Sequence, residues 1–169
     1  MSAVVCNAPA LDLRGFRRAL GSYATGVAVV TGEWQGELLG MTINSFASVS
    51  LQPPLVLWSV GERATQFEAF CAVERFAVHV LAEGQKHVSD RFALSAGDKF
   101  TGMQWDYDDI GVPRLDGCLT RFVCRKVDVY KGGDHRIVIG EVEQFEVTEA
   151  RPLMFVQGQY QDVTTPRTF

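Results

Sequence analysis

No stretch of this chain is long and apolar enough to cross a bilayer, and no basic segment precedes its short apolar start as in a secretory leader. The 16 Lys and Arg are scattered against a net charge of −4, so no basic stripe awaits a phosphate backbone. Neither a membrane nor a nucleic acid is expected as a partner, and a cytoplasmic location is. Cysteine is scarce. Cys6, Cys71, Cys118 and Cys124 form no C-x-x-C pair and no Cys/His spacing suited to zinc. They read as incidental or buried thiols in a reducing compartment, with Cys118 and Cys124 sharing strand parity. The three histidines, His79, His87 and His135, are far apart, so no metal site is expected. G-x-S-x-G, H-E-x-x-H and Walker A motifs are absent, and no G-x-G-x-x-G follows a strand, which disfavours a Rossmann dinucleotide site. Repeats and low-complexity tracts are missing too.

What is there suits one ordinary globular domain over residues 11–160, between a loose arm at 1–10 and a polar tail at 161–169. The 169 residues are 47% hydrophobic and 21% charged, enough for a core without staples. Asp12 is placed to cap a helix whose Leu13, Phe16, Leu20 and Tyr23 recur at helical spacing. "VAVVT" at 27–31 reads as a buried strand, and Gln35-Gly36 as a hairpin turn. From Leu38 to Leu51 a strand is expected with Met41, Ile43, Ala47, Val49 and Leu51 on the core side. Its parity breaks at Ser45 and Phe46, which predicts a bend near Asn44-Ser45. Short helices are expected at "ATQFEAF" and within "GQKHVSDRFA", and a long ordered loop over 93–116. A long hairpin turning at Gly132-Gly133 and a last strand at "PLMFVQGQY" complete an α+β, mainly β, antiparallel barrel with short peripheral helices.

Three polar features could carry chemistry. The first is the hydroxyl- and amide-rich face of the early strand, Thr42, Asn44, Ser48 and Ser50, with Ser45 beside it. The second is the Thr65 helix start, where Thr65 and Glu68 have capping-box spacing and Arg63 stands close by. Such an end offers donors and a cation to a phosphate, although an ordinary capping box has the same sequence. The third is Gly132-Gly133-Asp134-His135, where a carboxylate adjoins an imidazole at the mouth of a strand. Spacing alone favours a plain exposed turn there. His79 and His87 read as structural or solvated. Brought together, the three features would line a groove fit for a phosphate and a large heteroaromatic ring.

The chain resembles the short-chain NAD(P)H:flavin reductases of two-component flavin-dependent monooxygenases, a branch of the FMN-binding split-barrel proteins. The resemblance runs through "FRRALGSYATGVAVVT" (16–31), "NSFASVSLQPPLVL" (44–57), "RFAVHVLAEGQKHVSDRFA" (75–93), "DKFTGMQW" (98–105), "GGDHRIVIGEVE" (132–143) and "PLMFVQGQY" (152–160). It implies a split-barrel homodimer that binds FMN or FAD, takes electrons from NADH or NADPH, and releases reduced flavin by diffusion to a separate monooxygenase. It further implies flavin contacts at Thr42, Asn44, Ser45, Ser48, Ser59, Val60, Gly61, Thr65, Gln66, Arg91 and Phe92. His135 is implied as the residue that orients the nicotinamide, with Gly40 and Tyr160 in the same pocket. NADH is expected over NADPH, since no basic cluster awaits a 2′-phosphate. The stretch Gly61-Glu62-Arg63-Ala64 departs from the family's usual hydroxyl and basic residues, and an inward Glu62 would repel a phosphate. An FMN-dependent amine oxidase of the pyridoxamine phosphate oxidase type and a non-catalytic flavin carrier are the alternative readings.

Overall fold

The computed structural model describes residues 12–161. The arm at 1–10, with Cys6, and the tail beyond Gln161 lie outside the described residues. The strands are β1 (Thr25–Gly26), β2 (Ala28–Trp34), β3 (Glu37–Ile43), β4 (Ala47–Leu51), β5 (Pro54–Gly61), β6 (Arg75–Val80), β7 (Trp105–Tyr107), β8 (Pro113–Leu115), β9 (Thr120–Gly132), β10 (His135–Val147), β11 (Met154–Val156) and β12 (Gln159–Gln161). Three helices intervene: α1 (Leu13–Leu20), α2 (Phe67–Ala72) and α3 (Lys86–Phe92).

Seven strands form one antiparallel sheet in the order β3-β2-β6-β9-β10-β5-β4. Its two edge strands, β3 and β4, are consecutive in the chain and joined only by residues 44–46. Laid flat, seven strands would hold their outer axes about 29 Å apart, whereas that link reaches about 14 Å at most. The sheet must therefore roll until its edges meet, without a ladder between them. This is an antiparallel split barrel, as expected.

The rolled interior is filled by Val30, Leu39, Val56, Trp58, Val60, Phe76, Val78, Cys124 and Val138, and α2 adds Phe70. Trp58 meets Phe70 and Phe76 edge-on, with ring centroids 5.2 and 5.7 Å apart. A second core lies on the outer side of β2, where Val27 and Val29 pack with Leu81, Val88, Phe92, Phe100, Leu115 and Leu153. Because both of its faces are covered, β2 has the continuous apolar run seen in the sequence. Cys118 and Cys124 are both buried, but in different cores, because Cys118 precedes β9.

Several expectations change in detail. Asp12 caps α1, accepting from the N–H groups of Arg14 and Gly15 at 3.0 Å each, yet the stripe Leu13, Phe16 and Leu20 is exposed. The long early strand breaks at the Asn44 bend, and past it Val49 and Leu51 face solvent, Leu51 at 88% exposure. The bend carries the chain to the opposite sheet edge, so the buried parity of β3 is not inherited by β4. The capping box at Thr65 does not form. α2 begins at Phe67 with Gln66 at its N-cap position, and the Thr65 hydroxyl donates instead to the Ser95 carbonyl. The last strand is a hairpin, β11–β12, turning at Gln157-Gly158 with both residues at positive φ.

The 93–116 loop holds the small β7–β8 hairpin and is tied down by buried polar contacts. Thr31 Oγ1 donates to Pro113 O at 2.6 Å, Leu115 N–H donates to His79 Nε2 at 3.1 Å, and Arg121 pairs with Asp108 at 2.9 Å.

Candidate active site

The β5–β10 ladder sets His135 directly opposite Gly61. The imidazole lies over that glycine: a Cβ there would stand 3.4 Å from His135 Nε2. Glu62 N–H donates to Asp134 O at 2.9 Å, which fastens the strand exit to the hairpin turn. His135 Nδ1 is 2.7 Å from Asp134 Oδ1, so the carboxylate fixes the ring while half of the side chain stays exposed. The contact holds the Asp134 carboxyl below the usual range. Ser59 and Gly61 share the outer sheet face with His135 and Ile137, because strand partners point the same way. Val60 points inward and is wholly buried, so only its backbone can face a ligand.

Ser45 joins this face through Ser59, whose N–H donates to Ser45 Oγ at 3.0 Å. The hydroxyl returns a longer bond to Ser59 O at 3.4 Å. It thus extends the β4–β5 pairing past Ala47 with a side chain. Asn44 stands exposed at the bend.

Beyond Gly61, residues Arg63–Gln66 form one wall of a groove of about 380 Å³. The 93–97 segment and Lys99 form the other, over a floor of Met41, Thr42, Phe70 and Phe92. The Thr65–Ser95 hydrogen bond joins the walls. Gln66 clips α2 to the free edge of β3, donating from Nε2 to Leu38 O at 3.0 Å and accepting from Gly40 N–H at 3.1 Å. Thr42 Oγ1 donates to Ser89 O at 2.6 Å. Glu62 is turned away from the groove into a pair with Arg136, whose guanidinium also lies 5.7 Å from the Phe67 ring. The lining holds Arg63 and Lys99 and no carboxylate.

The structure thus brings His135, Gly61, Ser59 and Ser45 together at the end of β5, and Thr42, Thr65, Gln66 and Phe92 together in the groove that begins at Arg63. It does not give Ser48, Arg91, Tyr160 and Gly40 the expected roles. Ser48 lies opposite Val56, on the other sheet face from Ser59. Arg91 spends its guanidinium on the carbonyls of Asp98, Lys99 and Thr101, at 2.8, 3.3 and 3.0 Å. Tyr160 packs on the other side of α3, its hydroxyl 2.9 Å from Ser89 Oγ and 3.2 Å from Asp90 Oδ1. Gly40 is required by packing: a Cβ there would sit 2.4 Å from Phe92 Cε1. Sequence reasoning missed Lys99 and Arg136. Their only signal was position within "DKFTGMQW" and directly after His135.

The site offers cations at one end, hydroxyls and an amide clip along a half-apolar floor, and a half-exposed imidazole at the other end. That combination fits a ligand with an anionic group and a flat ring system.

Comparison with known proteins agrees. A family model described as "Flavin reductase like domain" matches residues 20–164. The chain is 44% identical over 147 residues to the FMN reductase (NADH) SmoA of Agrobacterium fabrum, covering 87% of this chain and 84% of that one. It is 38% identical over 161 residues to HsaB, the reductase subunit of a flavin-dependent monooxygenase of Mycobacterium tuberculosis, covering 94% and 86%. The structure of the Streptomyces globisporus NADH:FAD oxidoreductase SgcE6 superposes with a TM-score of 0.89 at 34% identity, over 99% of this chain and 96% of that one. With the matched residues spanning nearly the whole described chain, this protein belongs to the flavin reductase like domain family.

Proposed function

We propose that the protein is an NAD(P)H-dependent flavin reductase that supplies reduced FMN or FAD to a separate monooxygenase. The supporting observation is that the His135 ring lies over Gly61 at the end of β5, two residues before the cation-lined groove begins at Arg63. The relatives support the same reading: SmoA is named an FMN reductase using NADH, and HsaB a reductase subunit of a monooxygenase. A structure of SgcE6 holds NAD and FAD fragments.

Bound together, the two cofactors supply the reaction, hydride transfer from nicotinamide C4 to flavin N5. The chain supplies alignment. Gly61 lets the Asp134-fixed imidazole of His135 lie against β5, and from there the imidazole orients the nicotinamide. Asn44 at the bend offers amide donors and acceptors to a ring edge. The groove cations hold the phosphate end.

Purified protein mixed with NADH and free FMN or FAD should consume NADH catalytically, followed by absorbance. Stoichiometric flavin binding without turnover would leave only the carrier reading, and flavin-dependent amine turnover would favour the amine oxidase. The unpaired thiols of Cys71, Cys118 and Cys124 support a reducing, cytoplasmic setting. A homodimer is supported by apolar side chains beside His135: Leu57, Ile137, Ile139 and Tyr130 share the outer face of β5, β10 and β9, Tyr130 exposed and the other three only partly buried in the single chain.

A further inference from the structure

Arg136 follows His135 in β10 and points the other way. It stands opposite Val60, which is wholly buried on the inner sheet face, so the arginine is directed to the side where α2 packs. There its guanidinium donates to Glu62 Oε1 and lies 5.7 Å from the ring of Phe67, the first residue of α2. The Arg136 side chain is 27% exposed and that of Glu62 41%, so the pair is only partly shielded. A carboxylate released from it would stay hydrated and free to turn.

Glu62 stands between the two ends of the site. Ala64 N–H donates to Gly61 O at 2.9 Å, a turn whose central residues are Glu62 and Arg63. Gly61 carries the His135 ring on one side of this turn, and Arg63 opens the groove on the other. Two other acids near the site are fixed within their own segments. Asp134 holds the His135 ring, and Asp98 accepts from the N–H groups of Phe100 and Thr101 at 2.9 and 3.0 Å. Glu62 is instead held from a different element. Without that hold, a negative charge would stand beside a groove lined by two cations and no acid.

We infer that Arg136 is a positioning residue for the binding of a phosphorylated flavin: it neutralises Glu62 and keeps the carboxylate turned away from the groove. Arg136 acts through Glu62 and need touch no ligand. This rests on the reductase reading above and adds to it a residue outside the groove that sets the groove's charge. The same guanidinium also braces α2 through Phe67, so the test must separate the two roles.

Dissociation constants for FMN and for riboflavin, which lacks the phosphate, are measured by flavin fluorescence. The proteins compared are the wild type, Arg136→Met, Arg136→Lys, Glu62→Gln and the double variant of Arg136→Met with Glu62→Gln. The KM for NADH is read in parallel. In Arg136→Met, FMN affinity should fall about 3- to 10-fold, the size of a water-screened repulsion between like charges. Riboflavin affinity should change less than about twofold, Arg136→Lys should keep most of the FMN affinity, and added salt should shrink the Arg136→Met loss. Glu62→Gln should restore the FMN loss when Arg136 is absent and alter FMN affinity less than about twofold when it is present. That non-additivity marks a carboxylate that moves. A charge felt from a fixed place would give Glu62→Gln the same effect in both backgrounds, and that result would overturn the inference. Equal losses for FMN and riboflavin that Glu62→Gln does not repair would also overturn it, since Arg136 would then only brace α2. So would unchanged FMN affinity in Arg136→Met, whether or not the KM for NADH rises. Wild-type protein that bound neither flavin would remove the reductase reading itself, an outcome distinct from a selective loss in the variant.

Discussion

Two histidines show how environment divides one residue type into two roles. His79 is wholly enclosed. Its Nδ1 faces Val29 O at 3.3 Å and its Nε2 accepts from Leu115 N–H, so the ring is held neutral. Burial is the main reason its pKa is lowered to about 3 from 6.5. The unfolded chain takes up a proton below about pH 6.5 while the native ring refuses it. Stability should therefore fall as pH drops from about 6.5 towards 3, by roughly 1.4 kcal/mol per pH unit at most. Above that window this residue adds no slope. Urea midpoints at pH 7 and 5 check it, and His79→Gln should flatten the dependence. His135 has the opposite setting, half-exposed and fixed from one side by Asp134. His135→Ala should slow NADH-dependent flavin reduction by about 10-fold or more, while flavin affinity holds. Stopped-flow rates with parallel flavin titrations read both, and unchanged kinetics would take His135 out of the mechanism.

At the scale of elements, side chains complete what the ladders leave open. Gln66 acts on β3 as one rung of a missing strand. Gln66→Ala would strand the Gly40 N–H and the Leu38 carbonyl at a partly buried edge. A loss of about 1–3 kcal/mol is expected in denaturant titration, with flavin binding weakened as α2 loosens. Most elements were legible because period and turn chemistry agreed: the Gln35-Gly36 hairpin, all three helices and the 132–135 turn appear where expected. The misses share a cause. The Thr65–Glu68 spacing was genuine, but the Thr65 hydroxyl found Ser95, thirty residues away, a better partner than its own helix. The parity of Val49 and Leu51 was equally genuine, but it crossed a bend into a different edge of the sheet. Local patterns do not report which distant segment wins a donor or covers a face.

For the whole molecule, the candidate site was legible as a set and less so residue by residue. Residues on the 59–66 stretch and the hairpin turn meet because adjacent strands carry them, a pairing that no spacing within a motif states and that only the resemblance implied. Arg91 and Tyr160 are placed elsewhere because their polar ends satisfy the 98–101 carbonyls and α3 instead. Lys99 escaped notice because its value depends on a burial that no motif encodes. The apolar outer face of β5, β10 and β9 also belongs to this scale. Light scattering should give twice the chain mass at micromolar concentration. Ile137→Glu should lower that towards the single chain, because it buries a charge in the proposed interface.

The three-residue link at Asn44–Phe46 has a kinetic implication. The strands that it joins are neighbours in sequence but terminal in the ladder, so the roll closes only once the remote pairings β2–β6, β6–β9 and β5–β10 are all in register. Many of those pairings are remote along the chain, a topology that folds slowly. Competence to hold a flavin would then arrive with the final step of assembly, and refolding followed by flavin fluorescence should recover binding in its slowest phase and none before it.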